Sequence, residues 1–405
     1  MSLWKLNKKV LFGISGGIAA YKTPDIIHGL VKAGCEVETI MTESAEQFVS
    51  PLVISTITKK RVWLEKDFLS AENGWKIPHI TLTDWADCFA VAPCTANVLS
   101  ICASGASQTL LGAAMIAYDK PIVFFPAMNV KMLSNMASAS NIETIKKMGH
   151  IVVEPDSGIL ACGYEGKGRL PSNSVIHEYI YRALCPLKDL TGIKVTVTAG
   201  PTHEYIDPVR YISNPSSGKM GYAIARAAWY RGAQVTLISG PCSITPPAGA
   251  DLIKVVSAEQ MYKACMEKAP SSDVIIKAAA VGDFKAAEQS EHKIKRKEGE
   301  PMHLDLEQNA DIAAELGKIK SKGQILVGFA AETENFEANG QKKMQSKNLD
   351  MIAVNNVLAA DAGFGTDTNT LTIMIRGLDS VKVTGTKEEA ANVLLDAVVR
   401  EKSGK

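Results

Sequence analysis

The sequence predicts an α/β protein with two doubly wound domains in tandem. Short apolar segments with the character of buried strands alternate with longer segments of helical character, as a parallel sheet requires. The same pattern restarts near residue 190 of the 405-residue chain. Two stretches, "VKAGCEVETI" and "WYRGAQVTLI", each end a helix at a glycine and begin a strand that contains a valine. We therefore predict domains at residues 1–189 and 190–405, joined near "CPLKDLTG".

The first domain begins with a βαβ unit. A glycine-rich turn, "SGGIAAYK", follows the first predicted strand, and a helix runs to about Ala33. The predicted strands are, in order, "KKVLFGI", "CEVETIM", "CFAVAP", "PIVFFPA" and "HIVVEP". The segment "GILACGYEGKGRL" holds four glycines, which lose much conformational freedom on ordering, so we predict a loop there.

The second domain has an unusual first connection. Its predicted strands are "KVTVTAG", "QVTLISGP", "DVIIKAAAV", "QILVGFAAE" and "MIAVNNV", with a helix over "GKMGYAIARAAWYRGA". The stretch "TAGPTHEYIDPVRYISNPSSGKMG" makes the first strand-to-helix connection far longer than usual. A long ordered loop ending at a helix N-terminus suits a phosphate-bearing ligand. We predict a loop or hairpin over the charged residues 285–300.

Composition excludes several classes of protein. Lys and Arg total 44 and Asp and Glu 43, so net charge drives no binding to nucleic acid or membrane. No apolar run has the length of a membrane span, and the apolar part of "MSLWKLNKKVLFGIS" is too short for a signal peptide. We expect a cytoplasmic protein. None of the eight cysteines has C-x-x-C spacing, so Cys162 is not expected in a disulfide or a zinc site. A nucleophile, an acid and no role at all remain open for it.

Turns after the first-domain strands favour a mononucleotide ligand. Glycines in "GISGGIAAYK" let backbone N–H groups approach a phosphate, but they do not form G-x-G-x-x-G, which disfavours a nicotinamide cofactor. Thr95 and Asn97 suit a flavin, and Asn129 can donate to a carboxylate. Ordinary turn chemistry explains the same residues. A lone His79 is more often structural than catalytic.

Basic residues of the second domain suggest a polyphosphate. "SSGKMG" lacks the first glycine of a P-loop, and Met220 replaces the Ser or Thr that would hold Mg²⁺, so we do not assign that motif. "EHKIKRKEGE" is either a solvated charged loop or a mobile lysine segment over a triphosphate. Asp283 follows a buried strand, and Lys343 and Lys347 share one face of a helix.

Together these motifs resemble one family, the bacterial bifunctional phosphopantothenoylcysteine decarboxylases and phosphopantothenate–cysteine ligases of coenzyme A biosynthesis. The resemblance extends from about residue 8 to beyond 395. It is carried by "GISGGIAAYK", "PAMN", "ACGYEGKGR", "TAGPTHEYIDPVRYISNPSSGKMG", "AAAVGDF", "KIKR", "VGFAAET" and "KNLDMIAVNNV". It implies a carboxy-lyase fused to an acid–amino-acid ligase.

For the first domain, the resemblance implies a flavodoxin-like flavoprotein. It would bind FMN through Ser15, Gly16, Gly17, Thr95 and Asn97 and decarboxylate 4′-phosphopantothenoylcysteine to 4′-phosphopantetheine. In that family the flavin oxidises the cysteine thiol to a thioaldehyde, which makes loss of the carboxylate easy. The catalytic residues carried over are Cys162 as proton donor, Asn129 as the group that holds the substrate carboxylate, and His79.

For the second domain, the resemblance implies a Rossmann-like ligase. It would use CTP and Mg²⁺ to activate 4′-phosphopantothenate as an acyl-cytidylate, which the amine of cysteine then attacks. Asn214 matches the residue that stabilises the acyl intermediate. The matching nucleotide-binding positions are Ala279, Asp283, Lys293, Asp311, Ile312, Ala313, Ala314, Phe329, Lys343 and Lys347. No metal ligand is identified, and the resemblance implies a homo-oligomer with decarboxylase sites between protomers.

The sequence departs from the family pattern in three places. "ASGASQTLL" lacks the acidic or Asn pair that commonly follows its glycine, Arg296 ends "KIKR", and Gly282 stands in "AAVGDF". The first departure leaves the flavin or oligomer contacts open. Competing interpretations are a related flavoprotein acting on peptidyl-cysteine or prenylating flavin, an inactive flavin-binding regulator, and a dehydrogenase. The fused second domain argues against the related flavoproteins. The inactive regulator is disfavoured by the joint presence of His79, Asn129 and Cys162, and the dehydrogenase by the missing dinucleotide motif.

Overall fold

The computed structural model describes residues 7–161, 163–295, 301–332, 336–356 and 366–403. Cys162 and Arg296 lie outside the described residues. The chain divides into two compact units, of which the first ends at Cys185 and the second begins at Pro186. No helix in the described part of the chain is long and apolar enough to cross a bilayer.

The first unit is a six-stranded parallel sheet with the order β3-β2-β1-β4-β5-β6. This is a doubly wound order, and it reverses between β1 and β4. Its strands are β1 (Lys9–Ile14), β2 (Glu36–Met41), β3 (Val62–Leu64), β4 (Cys88–Cys94), β5 (Val123–Pro126) and β6 (Ile151–Val152), followed by the separate pair β7 (Asp156–Ile159) and β8 (Glu165–Arg169). Its helices are α1 (Thr23–Lys32), α2 (Pro51–Thr58), α3 (Pro78–Trp85), α4 (Ala96–Ser104), α5 (Leu110–Ala117), α6 (Val130–Leu133), α7 (Met136–Lys147) and α8 (Asn173–Leu184), with 3-10 turns at Ile18–Lys22, Glu43–Gln47, Glu65–Asp67 and Gly74–Lys76.

Alternation along β1 explains why this sheet is buried on both faces. Val10, Phe12 and Ile14 belong to one hydrophobic cluster, and Leu11 belongs to the other. Successive strand side chains point to opposite faces, so a continuous apolar run fills a core on each side. The predicted doubly wound α/β fold is confirmed.

The loop predicted over "GILACGYEGKGRL" is wrong at both ends of this segment, because β7 and β8 pair there as an antiparallel hairpin. The described residues between the two strands, 160–161 and 163–164, belong to no strand, as predicted. Gly158, Gly166 and Gly168 have φ of 147°, 155° and 152°, an extended conformation open to glycine but strained for other residues. The glycines therefore permit this hairpin. Their conformational freedom, taken alone, suggested a loop.

The second unit has an eight-stranded sheet with the order β13-β12-β9-β14-β17-β18-β19-β20. It is parallel as far as β18 and antiparallel through β19 and β20. Its strands are β9 (Lys194–Ala199), β10 (His203–Tyr205), β11 (Tyr211–Ser213), β12 (Gln234–Ser239), β13 (Asp251–Lys254), β14 (Val274–Lys277), β15 (Phe284–Ala286), β16 (Leu306–Gln308), β17 (Ile325–Glu332), β18 (Met351–Asn356), β19 (Thr368–Ile375) and β20 (Val381–Thr386). Its helices are α9 (Lys219–Tyr230), α10 (Ala258–Lys268), α11 (Ile312–Ile319), α12 (Phe336–Ser346) and α13 (Lys387–Lys402), with a 3-10 turn at Ala269–Ser271.

The long connection between β9 and α9 contains a hairpin of its own, β10–β11. The charged region begins in a second hairpin, in which β15 pairs with β16 beyond residue 300. The strand order reverses between β9 and β14, so both of these excursions leave the carboxyl edge of the sheet near the switch point. Ligands of open α/β sheets bind at such a point.

Candidate active sites

The first unit encloses a cavity of about 940 Å³ at the carboxyl edge of its sheet. The turns after β1, β2, β4 and β5 and the β7–β8 hairpin line it. The predicted residues that line it are Ser15, Gly16, Gly17, Thr95, Asn97 and Asn129. Parallel strands present their carboxyl ends at one edge, which brings these distant parts of the sequence together.

Ser15 joins the two strands at the switch point. Its hydroxyl donates to Pro93 O at 2.7 Å and accepts from Thr95 N at 3.0 Å, and the residue is buried. The hydroxyl is thus already used within the protein. Ser15 supports the cavity wall by fixing the start of α4.

The glycine turn permits a close approach between the turns after β1 and β2. A Cβ on Gly16 would lie 2.2 Å from Ser44 Oγ. A Cβ on Gly17 would meet only Thr95 Cγ2, at 3.4 Å. Gly16 is therefore required for packing, whereas Gly17 leaves its backbone open toward the cavity.

Asn129 sits where the β7–β8 hairpin meets the body of the unit. Its side chain accepts from Lys131 N at 2.8 Å and so caps α6. Next to it, Met128 N donates to Gly168 O at 3.0 Å. A Cβ on Gly168 would lie 2.2 Å from Met128 O, so only glycine allows the hairpin to lie this close. Leu160 and Ala161, which precede Cys162 in the chain, also line the cavity.

His79 is not one of the residues that line this cavity. It occupies the first turn of α3, edge-on to Phe68 at 5.5 Å between ring centroids. Its Nδ1 is buried and has no hydrogen-bond partner among the described residues. Within one chain, His79 is not brought together with Asn129.

Sequence reasoning missed the acidic side of the cavity. Glu65 lines it and accepts from Leu110 N at 3.1 and 3.2 Å. Burial raises the pKa of Glu65, and nearby Glu43 raises it further, against the hydrogen bond from Leu110. Thr42 and Ser44 line the cavity too. The polar turn "TESA" after β2 was a usable signal, but β3, which places Glu65, is too short to recognise.

In the second unit, the β10–β11 hairpin gathers several predicted residues. Asn214 follows β11 and donates from Nδ2 to Val281 O at 3.0 Å. Thr202 accepts from Gly282 N at 2.9 Å, and Ala279 N donates to Thr198 at 3.2 Å. These bonds hold Asn214 against the loop that carries Ala279 and Asp283.

The far end of this hairpin holds the lysine-rich segment. Asp207 accepts from Val209 N, Arg210 N and Ile294 N and from the Arg210 guanidinium. Burial raises the pKa of Asp207, but the Arg210 and backbone hydrogen bonds outweigh it and hold the pKa well below its usual range. Lys293 is exposed beside Ile294. Sequence reasoning missed Asp207 because an Asp-Pro turn gives no sign of a distant partner.

A second group surrounds the start of α11. Asp311 caps this helix by accepting from Ala313 N and Ala314 N, both at 3.1 Å, and pairs with Lys347 at 2.8 Å. These two N–H groups are therefore already bonded within the protein. Ile312 is buried, while Phe329 and Lys343 are half-buried.

Lys277, at the end of β14, was not predicted. Burial lowers its pKa, and Asp311 and Asp283 act in the opposite direction. Its amine at the switch point can donate hydrogen bonds to an anionic ligand. Among the described residues, no group of three potential metal ligands occurs.

Comparisons with known proteins match both units. The Flavoprotein model covers residues 3–184, and the model of the DNA/pantothenate metabolism flavoprotein C-terminal domain covers residues 190–401. The coenzyme A biosynthesis bifunctional protein CoaBC of Bacillus subtilis is 46% identical over 373 residues, 91% of each chain. The CoaBC proteins of Haemophilus influenzae and Escherichia coli K12 are 39% and 38% identical, over 98% and 97% of each chain. The chain belongs to the CoaBC family.

Membership in the CoaBC family confirms the resemblance predicted from the motifs and makes this chain a bifunctional protein of coenzyme A biosynthesis. The cavity of the Flavoprotein unit has the size of a cofactor site, about 300–1,000 Å³. Its Gly17 backbone and the hydroxyls of Thr42 and Ser44 offer polar groups suited to a flavin phosphate and ribityl chain. The residues present therefore fit a flavin mononucleotide.

Proposed function

We propose that the chain catalyses two consecutive steps of coenzyme A biosynthesis. The second unit ligates 4′-phosphopantothenate with cysteine, using CTP and Mg²⁺ through an acyl-cytidylate. The first unit uses FMN to decarboxylate the product to 4′-phosphopantetheine. The observation that carries the proposal is the first-unit cavity, which the glycine turn, Asn129 and the β7–β8 hairpin border together.

In the decarboxylase unit, bound FMN supplies the two-electron chemistry. Asn129 holds the substrate carboxylate at the cavity wall. The hairpin covers the substrate and excludes water, which strengthens these polar contacts. Cys162 donates the final proton, since the pKa of a thiol lies close enough to neutrality for this role.

His79 has no place in the cavity of its own chain. We infer that the protein is a homo-oligomer and that a neighbouring copy brings His79 to the site. The exposed Trp75, Ile77 and Ile80 near His79 offer an apolar surface for such contact.

In the ligase unit, CTP would lie at the carboxyl edge beside the reversal between β9 and β14. The lysines that would neutralise triphosphate charge are Lys277, Lys293, Lys343 and Lys347, and Mg²⁺ would supply further positive charge there. Asp283 and Asp311 belong to the same site, where the Lys347 pair holds Asp311 in place. Asn214 holds the acyl intermediate. The substrates are soluble, charged metabolites, so we place the protein in the cytoplasm.

A product assay on the purified protein tests both halves. With 4′-phosphopantothenate, cysteine, CTP and Mg²⁺, mass spectrometry should detect 4′-phosphopantetheine, CMP and pyrophosphate. Accumulation of phosphopantothenoylcysteine alone would contradict the decarboxylase half. If folded protein formed neither phosphopantothenoylcysteine nor 4′-phosphopantetheine, the bifunctional proposal would be wrong and a flavin-binding regulator would be favoured.

Replacing the proposed acid isolates its step. Cys162→Ser should retain FMN absorbance but lose formation of 4′-phosphopantetheine, because the hydroxyl is a far weaker acid than the thiol. Cys242→Ser, in the other unit, is the matched control and should decarboxylate normally. Unchanged turnover by Cys162→Ser would remove Cys162 from the mechanism.

A further inference from the structure

The carboxylate of Asp207 joins two parts of the second unit that are far apart in sequence. It lies in the turn of the β10–β11 hairpin, and its side chain is fully buried. One oxygen accepts from Val209 N and Arg210 N, both at 2.8 Å. The other accepts from Arg210 Nε at 2.9 Å and from Ile294 N at 3.2 Å. The carboxylate thus bonds both its own turn and a backbone group more than eighty positions away.

The segment around Ile294 is fixed to the hairpin by further bonds. Arg210 Nη2 donates to Ile294 O at 2.7 Å, so both backbone groups of Ile294 are held by the Asp207–Arg210 pair. Ser290 N donates to Ile206 O at 3.0 Å. Lys293 and Lys295 flank Ile294 and are both exposed. The backbone between them is therefore anchored while their side chains stay available.

The other end of the same hairpin carries Asn214, which bonds Val281 O beside Asp283. One hairpin is thus hydrogen-bonded both to the lysine segment and to the loop at the switch point. Catalysis by charge neutralisation depends on cations held in position before the reaction.

We propose that Asp207 is a positioning residue for the ligase reaction, which holds Lys293 and Lys295 at the height of the nucleotide phosphates through the backbone of Ile294. This inference rests on the proposed ligase function. Asp207 acts through the segment and the Arg210 side chain rather than by contact with substrate. Charge-assisted bonds of this kind contribute strongly where the acceptor is buried.

The test compares Asp207→Asn with Asp350→Asn in the full chain carrying FMN. Asp350 is a matched control, because its carboxylate also bonds a backbone N–H, Leu326 at 2.7 Å, and a lysine, Lys320 at 2.7 Å. Asp350 directly precedes β18 and so lies at the amino edge of the sheet, opposite the carboxyl edge where the ligand is proposed to bind. Loss of the Asp207 charge should raise the KM for CTP about ten-fold, as expected for one or two charge-assisted bonds. Asp350→Asn should leave this KM unchanged.

Tryptic cleavage after Lys295 gives a readout that needs no ligase activity. Asp207→Asn should speed this cleavage about ten-fold in the free protein, because bonds holding the segment are lost. Decarboxylation of supplied phosphopantothenoylcysteine by the same sample should stay unchanged and shows that the first unit is intact. A wild-type protein that consumes no CTP would refute the ligase function, while the cleavage rates would still judge the anchoring.

A second variant keeps the proposal testable if Asp207→Asn does not fold. Ile294→Pro removes the N–H that donates to Asp207 and leaves every side chain of the hairpin in place. It should reproduce both the higher KM for CTP and the faster cleavage after Lys295. Unchanged cleavage in either folded variant would overturn the anchoring. Faster cleavage at an unchanged KM would overturn the positioning role.

Discussion

At the residue scale, the decarboxylase cavity depends on glycines that fit where no other side chain can. Gly168 combines a φ of 152° with a contact to Met128 O that a Cβ would close to 2.2 Å. Gly16 faces a comparable obstacle from Ser44. Gly168 lets the β7–β8 hairpin lie against Met128, and Gly16 lets the turns after β1 and β2 approach each other at the cavity wall.

Gly168→Ala should therefore impair decarboxylation far more than it impairs folding. The added methyl displaces the hairpin from Met128, and a misplacement of about 1 Å costs on the order of 100-fold in rate. Gly149→Ala is the control, because Gly149 also has a positive φ, 91°, but open space around it. Turnover of phosphopantothenoylcysteine measures both. Equal rates in the two variants would show that the contact with Met128 is dispensable.

Two half-buried histidines, His150 and His177, make the first unit sensitive to acid. His177 Nε2 donates to Ile26 O at 2.7 Å, and His150 Nδ1 accepts from Ile122 N at 3.2 Å. Burial lowers the pKa of both, and for His177 the bond to Ile26 opposes this in part. The unfolded histidines bind protons at a higher pH, near 6.5, so their contribution to stability is complete above about pH 6.5 and declines as pH falls toward the folded pKa.

The double variant His177→Gln/His150→Asn should consequently lose less stability than the wild type between pH 7.5 and 5.5. Gln Nε2 can donate to Ile26 O, and Asn Oδ1 can accept from Ile122 N, so the bonds are retained without titration. Release of the flavin during heating, followed by its fluorescence, gives the midpoint at each pH. If the unfolding midpoints of the wild type and the double variant fell equally with pH, other groups would cause the acid sensitivity.

At the scale of elements, Arg231 joins the end of α9 to α13 and to the chain that enters the second unit. Its side chain is 1% exposed and bonds Asp189 at 2.6 Å and Asp396 at 2.7 Å. It also donates to Asn392 O at 3.2 Å. Burial lowers the pKa of Arg231, but both carboxylates outweigh this and keep it charged. A buried cation of this kind stabilises only while its partners are present.

Removing the two acids should accordingly cost more than removing the cation. Asp189→Asn/Asp396→Asn leaves a buried guanidinium without a carboxylate, at a cost of about 3–5 kcal/mol. Arg231→Met leaves two carboxylates that water can reach and keeps an apolar stem, at about 1–2 kcal/mol. Hydrogen exchange of α9 and α13 peptides in urea measures both. If Arg231→Met lost more stability than Asp189→Asn/Asp396→Asn, the Arg231 side chain would contribute through packing alone.

At the scale of the whole molecule, each unit has its own sheet and core. The hydrophobic clusters around β1 contain residues of the first unit only, and the cluster around β14 contains residues of the second unit only. Lys188 Nζ donates to Tyr230 O, and Asp189 accepts from Arg231. The residues just after Cys185 are therefore bonded to the second unit. The sequence predicts a boundary after residue 189, which would place Lys188 and Asp189 in the first domain and Tyr230 and Arg231 in the second.

A second-unit fragment that begins at residue 186 should for this reason be more stable than one that begins at 190. The shorter fragment lacks the Asp189 carboxylate, whose two oxygens accept from Arg231, and this loss costs about 2 kcal/mol. Thermal unfolding of the two fragments gives the difference, with CTP-dependent ligation as the check on folding. Equal midpoints would mean that Asp396 alone satisfies Arg231.

Local patterns are enough to predict the fold class and much of the first site. Apolar runs bounded by glycines predict the parallel strands, and the turns after them fall on one edge of a sheet by geometry alone. Local sequence therefore assigns Ser15, Gly16, Thr95 and Asn129 to one region. The motif resemblance identifies the family, which the comparisons confirm.

Only the tertiary structure decided what depends on contacts between distant segments. The glycine-rich segment forms a hairpin because Met128 and Asn129 lie against it, and its own conformational preference gives no sign of this. Ser15 bonds Pro93 and Thr95, and Asp207 bonds Ile294, through pairings that no local spacing encodes. His79 remains outside the cavity of its own chain. Sequence determines which segments are buried and where turns occur, whereas the bonds made by a polar side chain depend on which segments the folded sheet places beside it.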